Sequence, residues 1–456
     1  MKPLAAPLTL RRTNIAFVFV LIGVWAVVLE SMAVTVAVPA IAADFAISAS
    51  RATWIMGMSQ FIIVALLLPM ASLGEAIGIR RLFLGGLCLF GAATVACILA
   101  PSFNTLILAR AVQAIGTAAV MSVNFALARA LYQNNRIGTA IGIMATSVAI
   151  ATTAGPALSG LLLEVSGWRS VFGLMLLCSA VGFTGGMAML PPNAPMGRRF
   201  DVKDAVLVAL TLSCVLYVVN GAANGWPLPV MGLAAVAAAL GFCVIARISK
   251  GKTGAVFPLD LLSLPVFNLS VIAAIFAFAA QSLGFVFLPF YLIDGAGLRP
   301  IDMALVLSIW PLSTALLAPI LGWLSDRIAP GPIGAIGLFI FAAGFALLAA
   351  MPQGTGASGI ALRLAACGIG FAVFQTPNNR LVMLSAPPDR SGAASGVISL
   401  ARQFGRAFGT AIAAYTLTFA STTGSSAPLV IASGLALVGA CAAVMRAIAI
   451  RDRKAS

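Results

Sequence analysis

The chain has 456 residues, 61% of them hydrophobic and only 9% charged, with a mean hydropathy of +1.08 and a formal charge of +15. Soluble domains run near ~45–50% apolar and ~25% charged, so these residues cannot cover a water-facing surface and a set of soluble domains is excluded. There is no His, and the seven Cys stand singly in apolar stretches, which removes the commonest metal ligand and the paired thiols of zinc sites and disulfide frameworks.

A membrane span needs about 20 predominantly apolar residues. In chain order that rule predicts helices near 15–39, 52–74, 82–100, 103–129, 137–163, 170–190, 204–221, 228–246, 265–292, 302–321, 333–351, 357–379, 391–420 and 427–446. The expectation is an all-α integral membrane protein with 14 transmembrane helices. The N-terminal Lys2, Arg11 and Arg12 precede an apolar run as in a signal peptide, but the run has no small-residue cleavage site and reads as the first span. An even number of spans places both termini on one side. Twenty of the 27 Lys and Arg fall in loops on that side, three on the other, and Arg110, Arg363, Arg402 and Arg406 fall inside spans. Such a bias predicts cytoplasmic termini and assigns the positive charge to topology rather than nucleic acid.

The chain repeats itself. ASLGEAIG (71–78) parallels GWLSDRIA (322–329), LILAR (106–110) parallels IALR (360–363), and RIGTAIG (136–142) parallels RSGAASG (390–396), at offsets of 251, 253 and 254. Two six-helix halves, residues 1–200 and 251–456, separated by two additional helices in 201–250, account for an offset longer than half the chain. Internal repeats around a central site are a transporter design.

Of the twelve acids, Glu30 alone lies deep in a span, ~13 Å of helix from Pro39. A carboxylate at that depth costs several kcal/mol unless it is neutral, paired or facing water, which marks it as a proton or cation site. Its repeat partner is Gln281, so the scaffold itself does not require the charge. Arg110, with Gln113 one turn on, is the candidate modulator. Trp25, Asn124, Phe285, Trp310, Phe374 and Arg402 are candidate cavity residues, the aromatics suiting a flat lipophilic cation. Gly138-x-x-x-Gly142, Gly392-x-x-x-Gly396 and Gly405-x-x-x-Gly409 permit close helix contacts, and Gly155-Pro156 predicts a bend.

These motifs resemble those of the major facilitator superfamily, specifically its fourteen-span drug:proton antiporters, over nearly the whole chain. LESMAVTVAVP (29–39) is similar to the family's first span, ASLGEAIGIRRLFLGG (71–86) to its loop signature, LILARAVQAIG (106–116) to its fourth span, Ala151 to Gly160 to its antiporter motif, and ARQFGRAFG (401–409) to its span 13. Ala71, Glu75, Ala76, Ala151 and Ser59 depart from the family pattern. The resemblance implies proton-coupled export of lipophilic or quaternary cations by alternating access, by a monomer in the bacterial inner membrane, without a cofactor or metal. It implies a latch of Glu75, Gly78, Arg80 and Arg81 with Asp326 and Arg327, and gating at Gly155 and Pro156. The rival expectation is an exporter of anionic or neutral metabolites that uses Arg110, Arg402 or Arg406. A sensor, a channel and a membrane enzyme rank lower, since the loops hold no soluble domain and no nucleophile–base pair is visible.

Overall fold

The computed structural model describes residues 10–47, 54–133, 135–192, 200–224, 227–250, 255–292, 300–328, 330–352, 355–423 and 426–455. Its long helices are α1 (Leu10–Asp44), α2 (Trp54–Ile77), α3 (Ile79–Ile98), α4 (Phe103–Leu131), α5 (Ile137–Ser166), α6 (Trp168–Met189) and α7 (Val202–Asn224). They continue as α8 (Leu228–Ser249), α9 (Pro265–Phe290), α10 (Pro300–Arg327), α11 (Pro330–Ala349), α12 (Ala357–Ser385), α13 (Ser391–Thr423) and α14 (Ala427–Ala455). A single turn, Leu259–Leu262, precedes α9. Each of the fourteen predicted stretches coincides with one long helix.

Among the described residues twelve helices are long and apolar enough to cross a membrane, two fewer than the fourteen spans expected. The two outside that set are α5, whose described apolar part is Ile137–Thr152, and α13, which carries Arg402, Gln403 and Arg406. Both lie at the centre of the molecule: α5 packs on α10, and α13 packs on α2, α4 and α9. A helix walled by protein on most sides tolerates polar residues that lipid would not.

All three small-residue patterns serve as contact points. Gly138 and Gly142 meet Gly322 and Ala318 of α10, Gly392 and Gly396 meet Glu75 and Ala71 of α2, and Gly405 and Gly409 meet Ile275 and Ala279 of α9. At Gly409 a Cβ would run into the Ala279 carbonyl, and at Gly322 it would sit 2.5 Å from the Gly138 carbonyl oxygen. Only a residue without a side chain allows backbones that close, the usual basis of helix association in lipid. The predicted bend at Gly155-Pro156 leaves α5 one continuous helix; the Ser159 hydroxyl donates to the Gly155 carbonyl (2.8 Å). The α7–α8 hairpin lies against α2 and α13, with much of α8 exposed through Leu228, Leu233, Val236 and Leu240, as a lipid-facing helix would be.

Candidate functional site

Glu30 is buried, 2% exposed, and forms an ion pair with Arg110, itself 1% exposed. Arg110 also donates to Gln113 Oε1, whose Nε2 donates to Thr94 Oγ1 (2.7 Å), whose hydroxyl donates to the Phe90 carbonyl (2.6 Å). The spacing of Arg110 and Gln113 on α4 puts both on one face, so α1, α3 and α4 are joined by one polar chain. The structure brings together Glu30, its candidate modulator Arg110 and Gln113.

The cavity lies elsewhere. It encloses about 540 Å³ between α5, α9, α10, α12 and α13, within the usual range for small-molecule sites. Of the predicted cavity residues, Gln281, Phe285, Trp310 and Arg402 line it; Glu30, Arg110, Gln113, Trp25, Asn124 and Phe374 do not. Trp25 donates to Ser147 Oγ (2.5 Å), Asn124 Oδ1 accepts from the Phe125 amide (2.7 Å), and Phe374 is fully buried beside Gly334. Trp25 and Phe374 thus contact neighbouring helices, Asn124 bonds within its own, and none of the three lines the cavity.

The cavity has an aromatic wall. Phe285 stacks on Trp310 with centroids 4.6 Å apart, and Trp310 meets Phe341 and Phe345 edge-on at 5.4 and 5.5 Å. Phe278 and Phe371 meet edge-on at 5.3 Å on the adjoining wall. Gln281, Ser282, Thr314 and Gln375 supply neutral polar groups, and Arg402 and Arg406 the charge. Among the described lining residues there is no Asp or Glu. Phe278, Gln375 and Thr314 carry no signal in the sequence that sets them on the cavity; Arg406, named there only for the rival exporter of anionic or neutral metabolites, stands one helical turn beyond Arg402.

Bonds between the early and late helices cluster on the face where α1 starts and α14 finishes. Glu75, at the end of α2, accepts from the Ala393 amide (2.7 Å) and from Arg390 Nη1 (3.0 Å). Arg390 also forks onto Asp260, Nε to Oδ2 at 2.9 Å and Nη2 to Oδ1 at 2.8 Å. Burial alone would lower the Arg390 guanidinium; the hydrogen bonds and charges of Asp260 and Glu75 outweigh it and raise the group above its ordinary value. Asp326, at the end of α10, accepts from the Gly138 and Thr139 amides (both 2.9 Å), the Thr139 hydroxyl (2.8 Å) and Arg380 Nε (3.0 Å). Each acid thus meets the first turn of a helix across the interface, where amides and dipole favour an anion. The two arrangements are related by the sequence repeat.

Arg390 and Arg380 thus reach Glu75 and Asp326 from across the interface, while the arginines beside the acids in the chain make further contacts of their own. Arg80 donates to the Met187 carbonyl (2.9 Å), Arg81 to the Ile77 carbonyl (3.5 Å), and Arg327 lies over the Trp323 ring at 3.8 Å. Arg390 and Arg380 stand on the far side of the interface from the acids they hold. Gly78 adopts φ 101°, which a side chain rarely allows, and permits the turn between α2 and α3.

Hydrogen bonds to a charged group contribute ~1.5–3 kcal/mol each. Asp326→Ala should therefore favour a form open on the terminal face, read as faster maleimide labelling from that side of a cysteine placed at buried Ser395. Unchanged labelling would refute the latch. Asp260→Asn, which leaves Glu75 on Arg390, should give a smaller increase in the same assay.

A family model described as Major Facilitator Superfamily matches residues 20–410. The chain belongs to the major facilitator superfamily. It is 34% identical over 440 residues, 96% of each chain, to the uncharacterized transporter YebQ of Escherichia coli K12. It is 26% identical to the riboflavin transporter RibZ of Clostridioides difficile, covering 87% of this chain and 86% of RibZ. It is 28% identical to the multidrug resistance protein Stp of Mycobacterium tuberculosis, covering 86% and 73%. Among solved structures it is similar to the human organic anion transporter MFSD10, with a TM-score of 0.68 at 16% identity, over 95% of this chain and 99% of that one; that likeness concerns the fold. This member of the superfamily is a multi-pass membrane transporter of small molecules, not an enzyme.

Proposed function

We propose that the protein exports flat aromatic small molecules, neutral or anionic, across the bacterial cell membrane by proton-driven alternating access. The observation that carries this is the cavity, with an aromatic wall, two arginines and no carboxylate among its described lining residues. An apolar slot with a few convergent polar groups is what a drug-sized aromatic needs, and burial of arginines without an acid opposes a cationic cargo. RibZ, the riboflavin transporter, fits the same class of cargo.

In this reading all fourteen helices span, as a 6 + 2 + 6 arrangement with both ends cytoplasmic. The Glu75 and Asp326 latches close the cytoplasmic side while cargo leaves outward. The Glu30–Arg110 pair is the coupling element: a proton arriving on Glu30 releases Arg110, and the two states differ in how they hold that proton. Everted vesicles with an imposed pH gradient test this, using aromatic probes of both signs. Saturable proton-driven movement of neutral or anionic probes is expected, with coupling lost in Glu30→Gln/Arg110→Gln while binding persists. Movement of lipophilic cations alone would restore the drug-cation reading that the resemblance and Stp favour.

A further inference from the structure

Arg402 and Arg406 are four residues apart on α13, so their side chains share one face, and both line the cavity. Arg402 is 6% exposed, and its Nε has no hydrogen-bond partner among the described residues. Its guanidinium lies 5.4 Å from the Phe125 centroid and 5.5 Å from that of Phe278, and the Arg406 guanidinium is 5.8 Å from the same Phe278 ring. The other buried arginines are differently supplied. Arg110 has Glu30 and Gln113, Arg390 has Asp260 and Glu75, and Arg446 has Ser270, Asn378 and the Gly331 carbonyl.

Two like charges one helical turn apart repel, and each carries the desolvation cost of burial. Ring faces return only part of that cost. The missing compensation is an anion, and the cavity is the open space through which one reaches both groups. A guanidinium fork matches the oxygens of a carboxylate or phosphate. Phe285 stacked on Trp310 provides an uncharged aromatic platform in the same cavity.

We propose that Arg402 and Arg406 form a subsite for the acid group of an aromatic oxyanion, a carboxylate or phosphate ester, whose ring lies against Phe285, which the buried Trp310 backs. This rests on the reading of the cavity as the cargo site and narrows its cargo from neutral or anionic to anionic.

The test uses one ring with four end groups: 2-methylnaphthalene, 2-naphthoate, 2-naphthyl phosphate and a naphthyl trimethylammonium salt, titrated against the purified full-length protein. Both oxyanions should bind at least about tenfold more tightly than the neutral ring, a difference of ~1.4 kcal/mol; whichever binds tighter identifies the acid. Arg402→Gln and Arg406→Gln should each remove most of that preference, and Arg402→Lys, which keeps charge but not the fork, should retain part of it. Equal binding of neutral and anionic rings overturns the subsite and leaves aromatic cargo standing. Failure of every ring to bind or move overturns the cargo reading itself. Tightest binding by the ammonium salt overturns both. The preference measured on the unmodified protein decides the matter even where a variant does not fold.

Discussion

Glu30→Gln should destabilise the solubilised protein by about 3–5 kcal/mol, the usual penalty for removing one partner of a buried ion pair. Arg110 is 1% exposed and its Nε already has no partner among the described residues, so loss of the carboxylate leaves a guanidinium charge with neither solvent nor counter-ion. Arg110→Gln should be similarly costly, because Glu30 is 2% exposed. The double variant Glu30→Gln/Arg110→Gln should recover much of the loss, since two neutral amides carry no charge to solvate. Thermal unfolding of the four proteins forms a double-mutant cycle, and contacting residues give coupling energies well above the ~0.5 kcal/mol expected of independent sites. Additive losses would show that the pair is not a unit and would remove the physical basis for its role in coupling.

The second large effect concerns Gly322. Its Cβ would sit 2.5 Å from the Gly138 carbonyl and 3.2 Å from the Gly142 Cα. Gly322→Val should therefore push α10 away from α5 at the point where Asp326 reaches the Gly138 and Thr139 amides. Overpacking typically costs ~1–3 kcal/mol, and here the latch bonds go with it, so transport should fall at least about tenfold, since 1.4 kcal/mol already corresponds to that factor. Gly160→Ala is the control: a Cβ there meets nothing within 4 Å, and transport should be unchanged. Normal transport by Gly322→Val would show that the close α5–α10 approach is dispensable.

The helices were legible because lipid imposes a simple rule: twenty apolar residues in a row have few alternatives to a helix. The contact points were legible too, since Gly138, Gly142, Gly392, Gly396, Gly405 and Gly409 stand at four-residue spacings that put two glycines on one face. The latch acids came with the family resemblance, and the repeat aligns the two segments that hold Glu75 and Asp326. Arg380 and Arg390 were not legible as their partners, because they lie 54 and 315 residues from the acids they hold. Glu30 shows the same division. Its depth predicted that it must be paired, neutral or wet; the structure pairs it with Arg110 and keeps it off the cavity wall.

The amino-acid order alone thus determined how many helices form, which glycines bring them together, and which charged groups would be expensive to bury, since all three follow from local chain chemistry in an apolar solvent. Tertiary structure decided which face of each helix looks into the cavity, and so set Arg402 and Arg406 on its wall and Glu30 off it. A helix presents every residue in the same regular order, and only the packing of its neighbours fixes the angle at which it is turned.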